Sequence, residues 1–224
     1  MDYTLAMLTH GRGDHIHTTI RSFLDKVKPE PSRVIVYSDG PLQTWVSGMP
    51  RHTLIVGDEQ RGFCRATGRL WKWASDPGDD VPEFTFWLEH DFVFLRPVNL
   101  TDLATVLDAN KEMAQMQLMR GPVSKEEIAA GGLYEMRRND YEKTQAVLSG
   151  GILAPLLRHR AYFTTNPALI RTAFMAANQW PDDDEPHCEG RFSIDLVQRG
   201  FSFGVWGSGE PWVEHVGRRD GFGY

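Results

Sequence analysis

Two carboxylates stand one residue apart at the end of an apolar run in this chain. Glu89 and Asp91 follow Phe-Thr-Phe-Trp-Leu at 84–88, which predicts a buried central strand because a covered strand is apolar on both faces. Since residues i and i+2 of an extended chain point the same way, the two carboxylates should converge. Paired oxygen ligands suit a divalent cation, and a cation at that position suits a phosphate.

Both the carboxylates and a set of arginines also have a plainer interpretation. Glu89 and Asp91 would then be polar residues that turn the chain after the strand, with a surface histidine between them. Arginines spaced by four share one face of a predicted helix, which is either solvated or, at the mouth of a site, able to offset phosphate charge. These arginines are Arg61, Arg65 and Arg69.

The segments before the two carboxylates alternate between strand and helix patterns. Asp14 can cap a helix between the first two strands, and a second amphipathic pattern begins at Phe63. Because a β-α-β order builds a parallel sheet, we predict a single α/β domain over 1–224, with a mostly parallel central sheet flanked by helices. Ligands of such sheets bind at the carboxyl ends of the strands. The strands predicted here are 3–8, 34–37 and 53–56.

Patterns in the second half are less regular. Strands are predicted at 113–119 and 201–206, and a helix at 189–199. Asn166-Pro167 predicts a helix start, because Asn caps helices and Pro suits their first position. Residues 121–151 show no strand periodicity and are interpreted as a ligand-facing insertion. Further expectations are a helix capped by Thr101 that runs through Leu107, and a strand at 161–165. Two more helices are expected, one opened by the capping box of Ser124 and Glu127 and one by a second box at Asn139 and Glu142.

The composition is that of a soluble globular protein, with 224 residues, 41% hydrophobic and 24% charged. A net charge of -6 argues against a broadly basic nucleic-acid surface. Cys64 and Cys188 have no metal or redox spacing, so free thiols in a reducing compartment are expected. Without a run of about 18 apolar residues or a leader pattern at the start, we predict no membrane span and a cytoplasmic location.

Taken in order, these features resemble those of a GT-A glycosyltransferase of the family 2 type. Thr-His-Gly-Arg at 9–12 is similar to the nucleotide loop of that fold, and Ser-Asp-Gly at 38–40 to the loop that reads the base. Gln-Arg-Gly at 60–62 is similar to the segment under the diphosphate. Glu-His-Asp at 89–91 is similar to the Asp-x-Asp metal motif, and His-Val-Gly at 215–217 to the late histidine that adds a further metal ligand.

The resemblance implies a set of site residues. Asp91 and His215 would hold a metal ion, Mn²⁺ or Mg²⁺. Glu189 or Asp195, on the helix that leads to an Arg-Gly pair, would supply the catalytic base. The residues implied in binding a nucleotide-sugar donor such as a UDP-sugar are Thr9, Arg12, Asp39, Gln60, Arg61, Arg65 and Glu89.

The chemistry that these residues would perform follows from general requirements. A nucleoside diphosphate is a good leaving group only when its developing charge is neutralised, which a divalent ion does. Oxygen ligands favour Mg²⁺ or Mn²⁺, and a histidine among them favours Mn²⁺. The acceptor hydroxyl needs a base as it attacks, for which Glu189 is the first choice and Asp195 the second, and direct displacement inverts the anomeric carbon. Residues 1–100 would bind the donor and residues 101–224 the acceptor.

Two other functions stay open at this point. A sugar nucleotidyltransferase would show a glycine-rich phosphate loop with a lysine soon after the first strand, whereas this chain has Arg12 there and no lysine before Lys26. A non-catalytic sugar- or nucleotide-binding module would not need Glu189 or Asp195. The acceptor could be a saccharide, a protein side chain, a small molecule or a hydroxymethylated base in DNA. The DNA option needs a basic groove, for which the available arginines are Arg137, Arg138, Arg158, Arg160, Arg218 and Arg219.

Overall fold

The first half of the chain has the β-α-β order that the sequence predicts. A computed structural model describes residues 1–10, 13–40, 52–57, 59–76, 81–181, 183 and 185–217, with backbone alone for 13, 14 and 52–56. The elements of the first half are β1 (Tyr3–Thr9), α1 (Gly13–Lys26), β2 (Val27–Lys28), β3 (Arg33–Ser38), β4 (His52–Val56), α2 (Phe63–Ser75), β5 (Phe84–Glu89), β6 (Phe92–Phe94), β7 (Val98–Asn99) and α3 (Leu100–Ala109). Those of the second half are β8 (Met113–Leu118), α4 (Lys125–Ala130), α5 (Leu133–Met136), β9 (Tyr141–Val147), β10 (Leu153–His159), β11 (Ala168–Arg171), α6 (Thr172–Ala177), α7 (Cys188–Gln198), β12 (Ser202–Trp206) and β13 (Val213–His215).

Nine of the described strands form one sheet, in the order β4-β3-β1-β5-β11-β8-β12-β10-β9. The pairs β4 and β3, β3 and β1, β1 and β5, and β8 and β12 are parallel. The strand β11 is antiparallel to both of its neighbours, and so is β10. All strands of this sheet except β10 and β11 therefore point the same way, which confirms the mostly parallel prediction. The carboxyl ends of β1, β3, β5, β8 and β12 consequently meet at one edge.

Helices cover both faces of the sheet, which is why its central strands are almost unbroken apolar runs. Leu5 of β1 belongs to a core cluster that includes Phe23 of α1. The next residue, Ala6, belongs to a second cluster, which includes Trp71 of α2 and Phe192 of α7. Successive side chains of a strand point to opposite faces, so α1 and α2 pack on opposite sides of the sheet.

The segment 121–151 differs from the strand-free insertion that its sequence indicates. Ser124 does cap α4, as predicted, because its Oγ accepts a hydrogen bond from the Glu127 amide at 3.1 Å. The helix predicted after Asn139 is wrong, since β9 runs there and pairs antiparallel with β10. Glu, Lys and Gln favour helices, but on the last strand of a sheet they can face solvent while the backbone gains a partner. Pairing therefore overrides propensity.

Three other local predictions are wrong. Residues 161–165 form no strand, and Asn166-Pro167 begins no helix but leads into β11, with α6 starting only at Thr172. Because β11 pairs with β5 on one side and β8 on the other, sheet pairing outweighs the local capping signal. At α3 the cap is Asn99 rather than Thr101, since Oδ1 of Asn99 accepts from the Thr101 amide at 3.2 Å.

The two cysteines are joined in a disulfide, so the expectation of free thiols is wrong. Cys64 lies in α2 and Cys188 in α7, 124 residues further along the chain. Packing of Trp71 on Phe192, with 5.4 Å between ring centroids, holds the two helices together. The cysteine Cα atoms lie 5.8 Å apart, within the range that a disulfide spans. The spacing of the cysteines in sequence did not predict this bond, because it is the tertiary packing that brings them together.

As regards membranes, none of the described helices combines the length and the apolar character that a bilayer crossing requires.

Trp71 is the centre of the core between the sheet and α7. Its ring lies 5.9 Å from that of Trp87, 5.8 Å from Phe163 and 5.7 Å from Trp180, measured between centroids. Its Nε1 donates to the carbonyl oxygens of Met175 at 3.0 Å and of Asn178 at 2.9 Å. One side chain therefore fills the core and also satisfies two buried acceptors.

We expect Trp71→Phe to lower the free energy of unfolding by about 2–4 kcal/mol, because it leaves a void and removes the only N–H of that ring. The matched control is Trp73→Phe on the same helix, where the side chain is 47% exposed, and the expected change is within about 0.5 kcal/mol. Urea unfolding followed by far-ultraviolet circular dichroism measures both. Equal losses in the two variants would contradict this account of the core.

Candidate active site

The end of β3 is joined to the start of α2 by a buried aspartate. Oδ1 of Asp39 accepts a hydrogen bond from the Arg61 amide at 2.7 Å, and Oδ2 accepts one from the Gly62 amide at 3.0 Å. The Asp39 amide in turn donates to the Thr9 carbonyl at 2.7 Å, at the end of β1. The carboxylate therefore occupies the amino end of a helix, where free N–H groups and the helix dipole favour negative charge.

The predicted metal residues lie beside this position, at the end of β5. Glu89, His90 and Asp91 are 6%, 3% and 6% exposed, although all three are polar. Nε2 of His215 lies 3.1 Å from Oδ2 of Asp91. This contact depends on β13, which pairs antiparallel with β6 so that His215 lies opposite Phe92. The structure thus brings together Asp91 and His215 across 124 positions of sequence.

The environment of Asp91 favours its ionised form. Burial alone would raise the pKa of this carboxyl group, because it penalises the charge. The hydrogen bond from His215 and the positive charges of His215 and His90 outweigh that penalty and hold the pKa of Asp91 below its ordinary value. The carboxylate is therefore charged at neutral pH and can attract a cation.

The pair of Asp91 and His215 fits a metal ion as two neighbouring ligands. A carboxylate oxygen and an imidazole nitrogen are both groups that would hold a divalent ion, and the two atoms lie 3.1 Å apart. Oδ1 of Asp91 is buried and accepts no hydrogen bond from any described residue. A Cβ on Gly217 would lie only 2.2 Å from Oδ2, so the approach to the carboxylate depends on this glycine. The described residues contain no group of three or more metal-binding side chains, so phosphate oxygens or water would have to complete the shell.

The other predicted donor-binding residues lie around the amino end of α2. Gln60 is exposed, Arg61 and Arg65 are half-buried, and Arg12 lies outside the described residues. Nε of Arg61 is buried and makes no hydrogen bond within the described part of the chain. Thr9 is buried at the end of β1. The sequence motif therefore positions the backbone amides of this segment as well as its side chains.

Of the two candidate bases, Glu189 lies at the carboxyl edge of the sheet. It is half-buried at the second position of α7, and its Oε1 accepts hydrogen bonds from the Thr165 amide at 2.7 Å and the Thr165 hydroxyl at 3.2 Å. The segment after Thr165 reaches the end of β8, where the amide of Leu118 donates to the Pro167 carbonyl at 2.8 Å. These contacts orient the carboxylate beside the ends of the strands.

Asp195 has different surroundings on the same helix. Its side chain is 58% exposed and accepts a hydrogen bond from Nη1 of Arg199 at 3.0 Å, one turn further on. Six residues separate it from Glu189, which is about a turn and two thirds of helix, so the two carboxylates point in different directions.

The sequence did not indicate a cavity of about 140 Å³ at the ends of β8 and β12. Its lining includes Tyr134, Tyr141 and Pro211, with the side-chain amides of Gln117 and Asn166. The two tyrosine rings meet edge to face, 5.5 Å apart between centroids. Aromatic faces beside amide groups suit a sugar ring, which has apolar C–H faces and hydroxyl edges. Asn166 follows Thr165 directly, so this cavity and Glu189 are neighbours.

The charge that lines this cavity is balanced within its wall. Arg120 donates two hydrogen bonds to the Glu127 carboxylate, at 2.7 and 2.9 Å, and both side chains are mostly buried. The Val123 amide donates to the same carboxylate at 2.8 Å. A larger cavity of about 270 Å³ lies between α3 and β9, near the amino end of β8, and therefore away from the candidate bases.

The fold and this arrangement of strand ends are those of the GT-A class, as the sequence resemblance implies. Solved structures that resemble the chain include two crystal structures of S. aureus TarS, both at 13% identity. The first has a TM-score of 0.63 and covers 97% of this chain and 37% of TarS. The second, TarS 1-349 in complex with UDP, has a TM-score of 0.64 and covers 96% of this chain and 60% of that one.

The likeness at this low identity establishes the fold. The chain spans less than two thirds of the length of either TarS structure. No family model matches the chain, and no curated protein does.

Beside the cavity, His159 is enclosed by aromatic rings. It is 3% exposed, and its ring centroid lies 4.9 Å from that of Tyr141, 4.7 Å from Tyr162 and 5.5 Å from Phe203. Burial lowers the pKa of His159 from 6.5 to about 4. The imidazole is therefore neutral in the native state at pH values where an unfolded chain would already bind a proton.

We expect this histidine to make the protein less stable as the pH falls from about 6.5 to about 4, by up to about 1.4 kcal/mol per pH unit. His159→Phe keeps the aromatic packing and removes the proton site, so it should flatten the pH dependence over that interval. Urea unfolding at several pH values measures the slope. The exposed His17 provides the control His17→Asn, which should keep the wild-type slope, and an unchanged slope in His159→Phe would contradict the assignment.

Proposed function

We propose that this chain is a glycosyltransferase that moves a sugar from a nucleoside diphosphate sugar, such as a UDP-sugar, to an acceptor hydroxyl. The observation that carries the proposal is the contact between Asp91 and His215 at the carboxyl edge of a GT-A sheet. In support, TarS is a glycosyltransferase of this fold, and one of its structures contains UDP. The proposal extends to metal dependence, with Mn²⁺ or Mg²⁺ as the ion.

The donor would lie across the ends of β1, β3 and β5. Asp39 fixes the loop before α2 through the amides of Arg61 and Gly62, and the Arg61 side chain would contact the nucleotide. Arg65, in the first turn of α2, would offset phosphate charge, and Thr9, Arg12, Gln60 and Glu89 would complete the donor site. Positive groups at this position would favour a diphosphate.

Asp91 and His215 would hold the metal ion. When bound, such an ion neutralises the charge that develops on the leaving diphosphate. Asp91 is ionised at neutral pH, and the histidine nitrogen favours Mn²⁺ over Mg²⁺. His90, buried beside them, also favours the ionised form of the same carboxylate.

Glu189 would take the proton of the acceptor hydroxyl as that oxygen attacks the anomeric carbon. The two hydrogen bonds from Thr165 hold one carboxylate oxygen in place, which orients the group without protonating it. An attack opposite the leaving group inverts the anomeric configuration. Asp195 is our second choice, because its ion pair with Arg199 lies on the exposed side of α7.

The acceptor would bind in the cavity of Tyr134 and Tyr141, so that residues 1–100 serve the donor and residues 101–224 the acceptor. A saccharide suits this lining best, while a protein side chain, a small molecule or a modified DNA base are the other acceptors considered. Arg158 is one of the arginines available for a DNA groove, and its Nη2 donates a hydrogen bond to Oε1 of Glu112 at 2.8 Å.

The same residues support the two alternative functions less well. A sugar nucleotidyltransferase would need a lysine at the phosphate loop, whereas the first lysine, Lys26, is the last residue of α1. A binding module without turnover would have no use for the oriented Glu189 carboxylate. The cytoplasmic location stays a prediction, and the disulfide counts against it because such bonds persist mainly in oxidising compartments.

We expect the purified protein, incubated with Mn²⁺ and a panel of nucleotide sugars without acceptor, to bind one donor and to release its nucleoside diphosphate slowly. Asp91→Ala should lower that release at least about 100-fold, because it removes the charge that holds the ion. Calorimetry and chromatography of the nucleotide measure binding and release. Glu214→Ala, exposed and next to His215, is the matched control, and metal-independent turnover in Asp91→Ala would contradict the proposal.

Glu189→Gln should lower kcat about 10²–10⁴-fold and leave the donor Kd unchanged, because the amide keeps the shape but cannot accept the proton. Asp195→Asn is the comparison on the same helix and should have a much smaller effect. Steady-state kinetics with the donor found above, with water or a saccharide as acceptor, provide both constants. If Asp195→Asn caused the larger loss, the two assignments would have to be exchanged.

A further inference from the structure

The disulfide connects the two helices that carry the proposed donor site and the proposed base. Cys64 is the second residue of α2, two residues after Gly62, whose amide and that of Arg61 bind Asp39. Cys188 is the first residue of α7 and directly precedes Glu189. A covalent path of a few residues therefore joins the helix start that Asp39 holds to the base, although the two cysteines are 124 positions apart in sequence.

The start of α7 has an unusual backbone. Its N-cap residue, His187, is in the left-handed region, with φ 61 and ψ 34, and its side chain makes no capping hydrogen bond. A non-glycine residue avoids this conformation unless its surroundings impose it. Arg191 ties the helix to its own preceding loop, through the Asp183 carboxylate at 2.9 Å and the Glu185 carbonyl at 3.1 Å.

Ser193 and Phe192 hold α7 against the core through residues outside the first turn of α2. Ser193 accepts a hydrogen bond from the Phe163 amide at 2.7 Å, and its own hydroxyl donates to the Glu189 carbonyl at 2.7 Å. Phe192 packs on Trp71, in the third turn of α2. These contacts would keep α7 folded if the disulfide were absent, and they lie away from the start of α2, which Cys64 joins to the start of α7.

We propose that the Cys64–Cys188 disulfide is a positioning element for the base. It fixes the backbone of Glu189 relative to the helix start that Asp39 holds, while Thr165 fixes the carboxylate. Neither sulfur contacts a substrate, so the effect on the reaction is exerted through Glu189. This inference rests on the proposed function of Glu189. Its chemical consequence is that an oxidised protein is more active than a reduced one.

The test compares oxidised wild type, wild type reduced by dithiothreitol, Cys64→Ser and Cys188→Ser. Mass spectrometry after thiol alkylation first establishes that the oxidised protein contains the disulfide. We expect the other three forms to share a kcat about 10- to 100-fold lower for donor turnover, with the donor Kd within about twofold of the oxidised protein, since a small displacement of a base costs that much in rate. Dithiothreitol should not change Cys64→Ser further, which controls for the reagent.

The variant Glu189→Gln separates positioning from a general loss of structure. Reduction of Glu189→Gln should leave its residual rate unchanged, because the group through which the disulfide acts is already absent. Ile194→Ala, an exposed change on α7, should keep the full response to reduction. Unchanged kcat in reduced wild type, weakened donor binding, an equal further loss in Glu189→Gln, or free thiols in the oxidised protein would each overturn the inference while leaving the transferase proposal intact. A wild type that turns over no donor in either redox state would overturn both.

Discussion

Asp91 is a charged group that the fold buries at the end of a fully covered strand, and much of the site follows from the need to stabilise it. The stabilising contact comes from His215, which reaches Oδ2 because β13 pairs with β6. The amide of Val216 donates to the Asp91 carbonyl at 2.8 Å and fixes the same loop. Gly217 then lies against the carboxylate, where a side chain would collide with it. Burial of one carboxylate therefore dictates the path of the chain for several residues near position 215.

A second carboxylate, Asp39, plays the corresponding role on the other side of β1. It follows β3 as Asp91 follows β5, but its partners are backbone amides at the amino end of α2 rather than a histidine. The two groups therefore prepare different surfaces at one sheet edge: a fixed helix start that carries the Arg61 guanidinium for an anion, and a carboxylate with a histidine for a cation. A nucleoside diphosphate with a divalent ion matches this combination, because it presents both charges within one ligand.

The sequence predicted those parts of the molecule in which local pattern and tertiary structure agree. The β-α-β order, the mostly parallel sheet and the Ser124 cap all follow from patterns of a few residues, and they are confirmed. The motifs at 38–40, 89–91 and 215–217 indicated residues that the structure brings to one edge. Their roles in catalysis stay predictions.

The failures have one cause, which is that distant pairing overrides local propensity. The helix-prone residues of β9 form a strand because they pair with β10. Asn166-Pro167 leads into β11 because that segment pairs with β5 on one side and β8 on the other. The disulfide of Cys64 and Cys188 and the cavity of Tyr134 and Tyr141 likewise depend on contacts between elements far apart in sequence. No local pattern carries such information.

The central claim is that a nucleoside diphosphate and a divalent ion share the edge formed by Asp39 and Asp91. A crystal structure with UDP and Mn²⁺, with data collected at the manganese absorption edge, tests it most directly. The account predicts an anomalous peak bonded to a carboxylate oxygen of Asp91 and to Nε2 of His215, with both phosphates against that peak and the uridine toward Asp39. A manganese peak remote from Asp91, or UDP bound at another surface, would contradict it.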